Sequence, residues 1–170
     1  EVEYMKKGFT LVELLIVLAV IAALMAVATP MAMNAVKQAK ASQVAQNLNA
    51  LKSAVEQYVY SEKEVPTTID NLANYLSNYS IIKDSYIIKY WNSNVGADYF
   101  DNSGVATVVV LYKNGDADPE AVAKQNNLTS PISTGPTGVG NTNNYGGDDP
   151  LPSNPPSTLP GATVTVMKWW

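Results

Sequence analysis

One stretch limits what this chain can become more than any other. From Leu14 to Met33, LLIVLAVIAALMAVATPMAM, no charged residue occurs. About twenty residues of helix, at 1.5 Å per residue, measure about 30 Å, the thickness of a bilayer's hydrocarbon core. Lys6 and Lys7 precede the run and the next lysine is Lys37. That asymmetry keeps the N-terminus cytoplasmic and sends the remainder outward. The anomaly is Glu13, at the entrance to the run. An acid costs on the order of 3 kcal/mol near the bilayer centre on insertion scales, and less toward the interface.

Two ordinary explanations leave Glu13 without a role. In the first, Lys6 to Ala28 is a secretory signal, with Ala26-Val27-Ala28 as a small-residue cleavage site and Thr29 as the new N-terminus. In the second, the segment simply anchors an external binding domain that does not polymerise. The helical pattern continues unbroken through the cut that the first requires.

Composition narrows the function classes. The 170 residues contain no Cys and no His, and all 11 basic residues are lysines. Thiol nucleophiles, imidazole bases, the usual zinc spheres and bidentate arginine clamps on phosphate are absent, which argues against an enzyme or a bound cofactor. A net charge of −4, with no basic run longer than Lys6-Lys7, makes nucleic acid an unsuitable direct ligand.

The stretch KKGFTLVELLIVLAVIAAL, from Lys6 to Leu24, closely resembles the leader and N-terminal helix of type IV pilins and the related pseudopilins. The resemblance covers about the first 25 to 30 residues. It implies that a prepilin peptidase cuts between Gly8 and Phe9 and that Phe9 is then N-methylated. Glu13 corresponds to the family's hallmark acid and Pro30 to its helix proline, a place for a kink or for local unwinding on assembly. A second family proline is missing, since Ala50 occupies its place. The partners implied are further copies of the chain, the peptidase and methyltransferase, and the pilus assembly machinery. The chain would sit in the cytoplasmic membrane as a single-pass precursor and then in an extracellular filament. The nearest alternative is the major pseudopilin of a type II secretion system, in a periplasmic filament.

Cleavage after Gly8 gives Glu13 a physical purpose. It creates an ammonium at Phe9, a cation at the positive end of a helix dipole. Glu13 lies four residues on, on the same helical face, and can compensate the amine of its own chain or of a staggered neighbour. A buried pair contributes little net stability, because desolvation offsets the attraction, but misaligned neighbours leave a lone buried charge. The acid thereby marks the register of polymerisation.

The expected division is a leader over 1–8, an apolar membrane or filament-core helix over 9–34, the amphipathic half of the same helix over 35–62, and a globular head over 63–170. After Pro30, Val44, Leu48, Leu51, Val55 and Tyr58 recur at helical spacing and form the face that docks on the head, with Gln46, Asn47, Ser53 and Gln57 opposite. Thr67-Thr68 open a short helical pattern that ends near Asn78. Strands are expected over Asp84–Trp91, Val105–Lys113 and Ala162–Trp169, with Asn102-Ser103-Gly104 as turn material. Asp118 and Pro119 suit the N-cap and first position of a short helix. The fold class is α+β, a long helix packed on a small antiparallel sheet.

Residues 128–160 are dense in Pro, Gly, Ser, Thr and Asn, hold almost nothing to bury, and read as an exposed loop. Asn114, Asp116, Asp118 and Glu120 alternate as calcium ligands do, yet Pro119 replaces the required glycine and Gln125 the bidentate acid. Asp148 and Asp149 are better placed to tie a loop through calcium. The ten tyrosines and three tryptophans read as core and interface aromatics.

Overall fold

The computed structural model describes residues 9–91, 104–125, 132–133, 145–146, 150–151 and 157–168. Residues 1–8, expected to be a leader, Asp148, Asp149 and most of 128–160 lie outside them. The chain divides into two compact units, Glu1–Lys37 and Gln38–Trp170, which meet within one helix.

That helix, α1 (Leu11–Glu62), is helical on both sides of Pro30 without interruption. Its sequence is rich in Ala, Leu, Met and Gln and has no glycine, the composition that helices favour. It ends at Lys63, which takes a left-handed φ of 62° and donates its N–H to the Val59 carbonyl at 2.9 Å. Lysine here occupies a position that glycine usually fills.

In the second unit α1 buries Ala41, Val44, Ala45, Leu48, Leu51, Ala54, Val55 and Val59. A 3-10 helix (Ile69–Tyr75) follows, contributing Ile69 and Leu72 to the core. The helix expected to end near Asn78 is thus a 3-10 helix, and a separate α2 (Tyr79–Ile82), which the sequence did not suggest, follows it. The Asn71 side chain accepts the N–H groups of Thr67 at 3.0 Å and Thr68 at 2.9 Å. These bonds hold the helix entry in place.

Three strands carry the sheet: β1 (Tyr86–Trp91), β2 (Val105–Tyr112) and, at the C-terminal end, β6 (Gly161–Met167). Between them come α3 (Pro119–Ala123), β3 (Ile132–Ser133), β4 (Tyr145–Gly146) and β5 (Thr158–Leu159). The main sheet has the order β4-β1-β2-β6 and is antiparallel throughout. β3 and β5 form a separate antiparallel ribbon. As the sequence leads one to expect, α3 is capped by Asp118, which accepts the Glu120 N–H at 3.0 Å, with Pro119 in the first turn. Gly104, which leads into β2, has φ +71°, a conformation that costs glycine little.

Strand alternation sends the two faces of β2 into different cores. Ala106, Val108, Val110 and Tyr112 join the buried residues of α1, as do Tyr86 and Ile88 of β1 and Ala162, Val164 and Val166 of β6. Val109 and Leu111, with Ile87, face away and pack on Leu159, with Ile132 and Leu151 partly buried beside them. The segment read as an exposed loop therefore covers the outer face of the sheet with at least these three apolar residues. Gly161 makes this closeness possible. A Cβ on it would stand 2.6 Å from Ile132 Cδ1 and 2.8 Å from both Leu111 Cδ2 and the Val110 carbonyl oxygen.

Candidate functional site

The N-terminal part of α1 is apolar on every side, and every described residue from Phe9 to Lys37 is exposed. Phe9 is 88% exposed, Leu11 79% and Val36 68%. The helix is long and apolar enough to cross a membrane by length and composition. Patches beyond a few hundred Å² on a soluble surface mark an interaction site, and here a whole helical segment is uncovered.

Glu13 sits at the start of this segment, three residues after Thr10. Its Oε2 accepts the Thr10 backbone N–H at 2.8 Å and the Thr10 hydroxyl at 2.7 Å. In return the Thr10 hydroxyl oxygen accepts the Glu13 N–H at 3.3 Å. This reciprocal arrangement is a capping box, in which Thr10 precedes the first helical residue and Glu13 is the third. It satisfies two of the N–H groups that a helix start leaves without partners. The local signal for it is the pattern T-x-x-E, Thr10 to Glu13, ahead of an apolar run. The carboxylate is thereby held on the backbone N–H and hydroxyl of Thr10, the residue that follows Phe9.

Farther along, the Thr29 hydroxyl donates to the Met25 carbonyl at 2.8 Å, the back-bond common for Thr in helices. Pro30, next in sequence, has no N–H to give to Ala26.

Of the face expected to meet the head, Val44, Leu48, Leu51 and Val55 are fully buried, and Tyr58 is half-buried with its ring edge against Tyr75, centroids 5.7 Å apart. Ala41, Ala45, Ala54 and Val59 complete that face. Their spacing was readable, but three are alanines, whose small side chains carry a weak hydrophobic signal. Asn47 departs from its expected place on the outer side. It is half-buried and donates to the Tyr86 hydroxyl at 3.1 Å. Burial pushes the Tyr86 phenol up to about 12, so it remains a neutral partner.

At the foot of the head, Lys40 Nζ lies 3.1 Å from Asp116 Oδ2 and 5.7 Å from the centre of the Tyr112 ring. The Tyr112 hydroxyl donates to Asp116 Oδ1 at 2.5 Å. This hydroxyl, and behind it Lys40, holds the Asp116 carboxyl below its ordinary range. Asp116, with Tyr112, holds the Lys40 ammonium above its own. Asp116 is thus committed to this cluster and Asp118 to capping α3, which explains the alternating acids without a cation. Among the described residues no group of three or more acidic side chains gathers as a metal site.

Comparison with known proteins bears on the N-terminal segment. Residues 4–29 match the family model of the prokaryotic N-terminal methylation motif. This is the leader motif of type IV pilins and pseudopilins, and the site of prepilin peptidase cleavage and of methylation. The chain carries that motif on a long apolar helix, and the helix continues into a head where it packs on a small antiparallel sheet. No curated protein and no solved structure matches the chain.

Proposed function

We propose that the chain is the structural subunit of a type IV pilus. It would be inserted in the membrane as a precursor, cut between Gly8 and Phe9, methylated at Phe9, and drawn into a homopolymer by the pilus assembly machinery. The observation that carries this reading is an apolar helical segment, exposed throughout from Phe9 to Lys37, that overlaps a methylation motif. A bilayer and a bundle of like helices offer similar apolar surroundings, so one sequence serves the precursor and the filament core.

In this reading Glu13 pairs with the Phe9 amine, its own or a neighbour's. Support comes from the capping box, which holds the carboxylate on Thr10, next in sequence to Phe9. The new ammonium would form one residue before the Thr10 N–H that Glu13 accepts. A copy out of register would leave a charge in apolar surroundings, at a cost of several kcal/mol.

Two measurements test it. Mass spectrometry of the native N-terminus should find methylated Phe9; a start at Thr29, or an uncut leader, rejects the reading. Microscopy of cells should find surface filaments that disappear on deletion and that Glu13→Ala abolishes or disorders while the precursor still inserts. Filaments confined to the periplasm would instead identify a secretion pseudopilin.

A further inference from the structure

We infer that Asn34 is a second alignment device in the polymer, donating its side-chain amide to the Ala26 carbonyl of a neighbouring copy. The inference rests on the polymer reading above and begins from a hydrogen-bond deficit. Pro30 cannot donate to Ala26, four residues earlier, so that carbonyl lacks its intrahelical partner. In apolar surroundings without water an unpaired carbonyl is costly. Prolines persist in such helices where a nearby hydroxyl or an adjacent helix supplies the missing donor. The local candidate, the Thr29 hydroxyl, is bound to the Met25 carbonyl instead. Because α1 stays α-helical through Pro30, local rearrangement does not supply the donor, and in a filament core without water an adjacent helix is the remaining source.

Asn34 is the one other uncharged residue with a side-chain hydrogen-bond donor between Leu14 and Val36. It is exposed, and among the described residues its amide has no hydrogen-bond partner. It cannot serve its own chain, because Ala26 and Asn34 are eight positions apart, about 12 Å along the helix and about 80° around it. In the precursor Asn34 would stand at the membrane surface, where water satisfies it.

The spacing also fixes how copies meet. Copies inserted with the same topology are parallel, so a donor and an acceptor at different heights can join only if one copy is shifted along the axis. Because the two groups face different sides of the helix, the contact is heterologous. Repeated, it rotates and climbs and does not close, which is the condition for an open helical fibre. Interhelical bonds from Asn side chains are a known means of joining helices in lipid.

The test uses full-length chain in cells that assemble it. Relative to wild type, Asn34→Leu should shift the partition from filament to membrane-held subunit by about five-fold or more, the equivalent of one net hydrogen bond, with precursor insertion unchanged. Pro30→Ala returns a donor to Ala26, so Asn34→Leu in that background should have less than about half of its original effect. An equal effect in both backgrounds, or no effect in the first, overturns the inference. Since the chain has no cysteine, a short bismaleimide gives an independent reading without the Pro30 variant. Filaments of the double variant Ala26→Cys with Asn34→Cys should cross-link into a ladder, and those of either single variant should not. A ladder from Asn34→Cys alone would place Asn34 against Asn34 and overturn the inference, as would no ladder from the double variant. Absence of wild-type filaments would overturn the polymer reading as well; wild-type filaments with an indifferent Asn34 overturn only this one.

Discussion

The two halves of α1 are one continuous helix with opposite fates. Before Lys37 the helix is apolar all round and every described side chain is exposed. After it the apolar residues narrow to a stripe, and Leu48, Leu51 and Val55 are wholly buried. The difference lies in what surrounds each half. The second half mixes Gln, Asn, Ser and Lys with its apolar positions, so it needs only one covered face, and its own sheet supplies it. The first half has no polar face to turn to water. Its partner has to be lipid or other chains.

The sharpest way to break this comparison is to remove the same side chain from each half. Leu48→Ala should destabilise the head by about 3 to 4 kcal/mol, the transfer loss plus the cavity left behind. Leu18→Ala should leave head stability within about 0.5 kcal/mol. Denaturant unfolding of the full chain in detergent, followed by tyrosine and tryptophan fluorescence, measures both. Equal losses would mean that the two halves share one core.

A smaller effect tests whether the head is as tightly covered on its outer face as on the α1 face. Gly161→Ala should cost about 2 kcal/mol, because the new methyl meets the Val110 carbonyl oxygen and two side chains in a filled space. A neutral result in the same unfolding assay would show that the ribbon of β3 and β5 yields easily.

The smallest effect is electrostatic and belongs to the end of the packed half. Asp116 has a folded pKa below its ordinary value, so its contribution is complete above the ordinary carboxylate range and is lost as pH falls through the folded value. Lys40 has the opposite sign: its folded pKa is raised, and its contribution holds below the ordinary lysine value and is lost as pH rises through the folded one. Both side chains are partly exposed, which limits the pair to about 1 kcal/mol. Asp116→Asn should accordingly flatten the acid limb of a stability-against-pH curve by that amount or less, and an unchanged limb would remove the cluster from the stability of the head.

Much of the site could be read directly. Glu13, Pro30 and the uncharged run are local facts of the sequence, and the spacing of Val44, Leu48, Leu51 and Val55 predicts the packed face because helical periodicity is regular. The α+β class and the positions of β1, β2, β6 and α3 follow from the same kind of regularity. Apart from the local Thr10–Glu13 capping box, what failed depended on residues far apart in the chain. Asn47 reads as an outer residue until Tyr86, 39 positions away, comes within reach of its amide. Leu159 and Ile132 look isolated in a polar loop until β2 presents an outward face for them to cover.

By itself, then, the sequence determined that the chain begins with a segment fit for apolar surroundings and carries a carboxylate at its entrance, since length, charge and periodicity are additive along the chain. Only the tertiary structure decided that Asn47 reaches the Tyr86 hydroxyl, and that the sheet is covered on both faces. Hydrogen bonds and close packing depend on distances between particular atoms, which the order of residues does not contain.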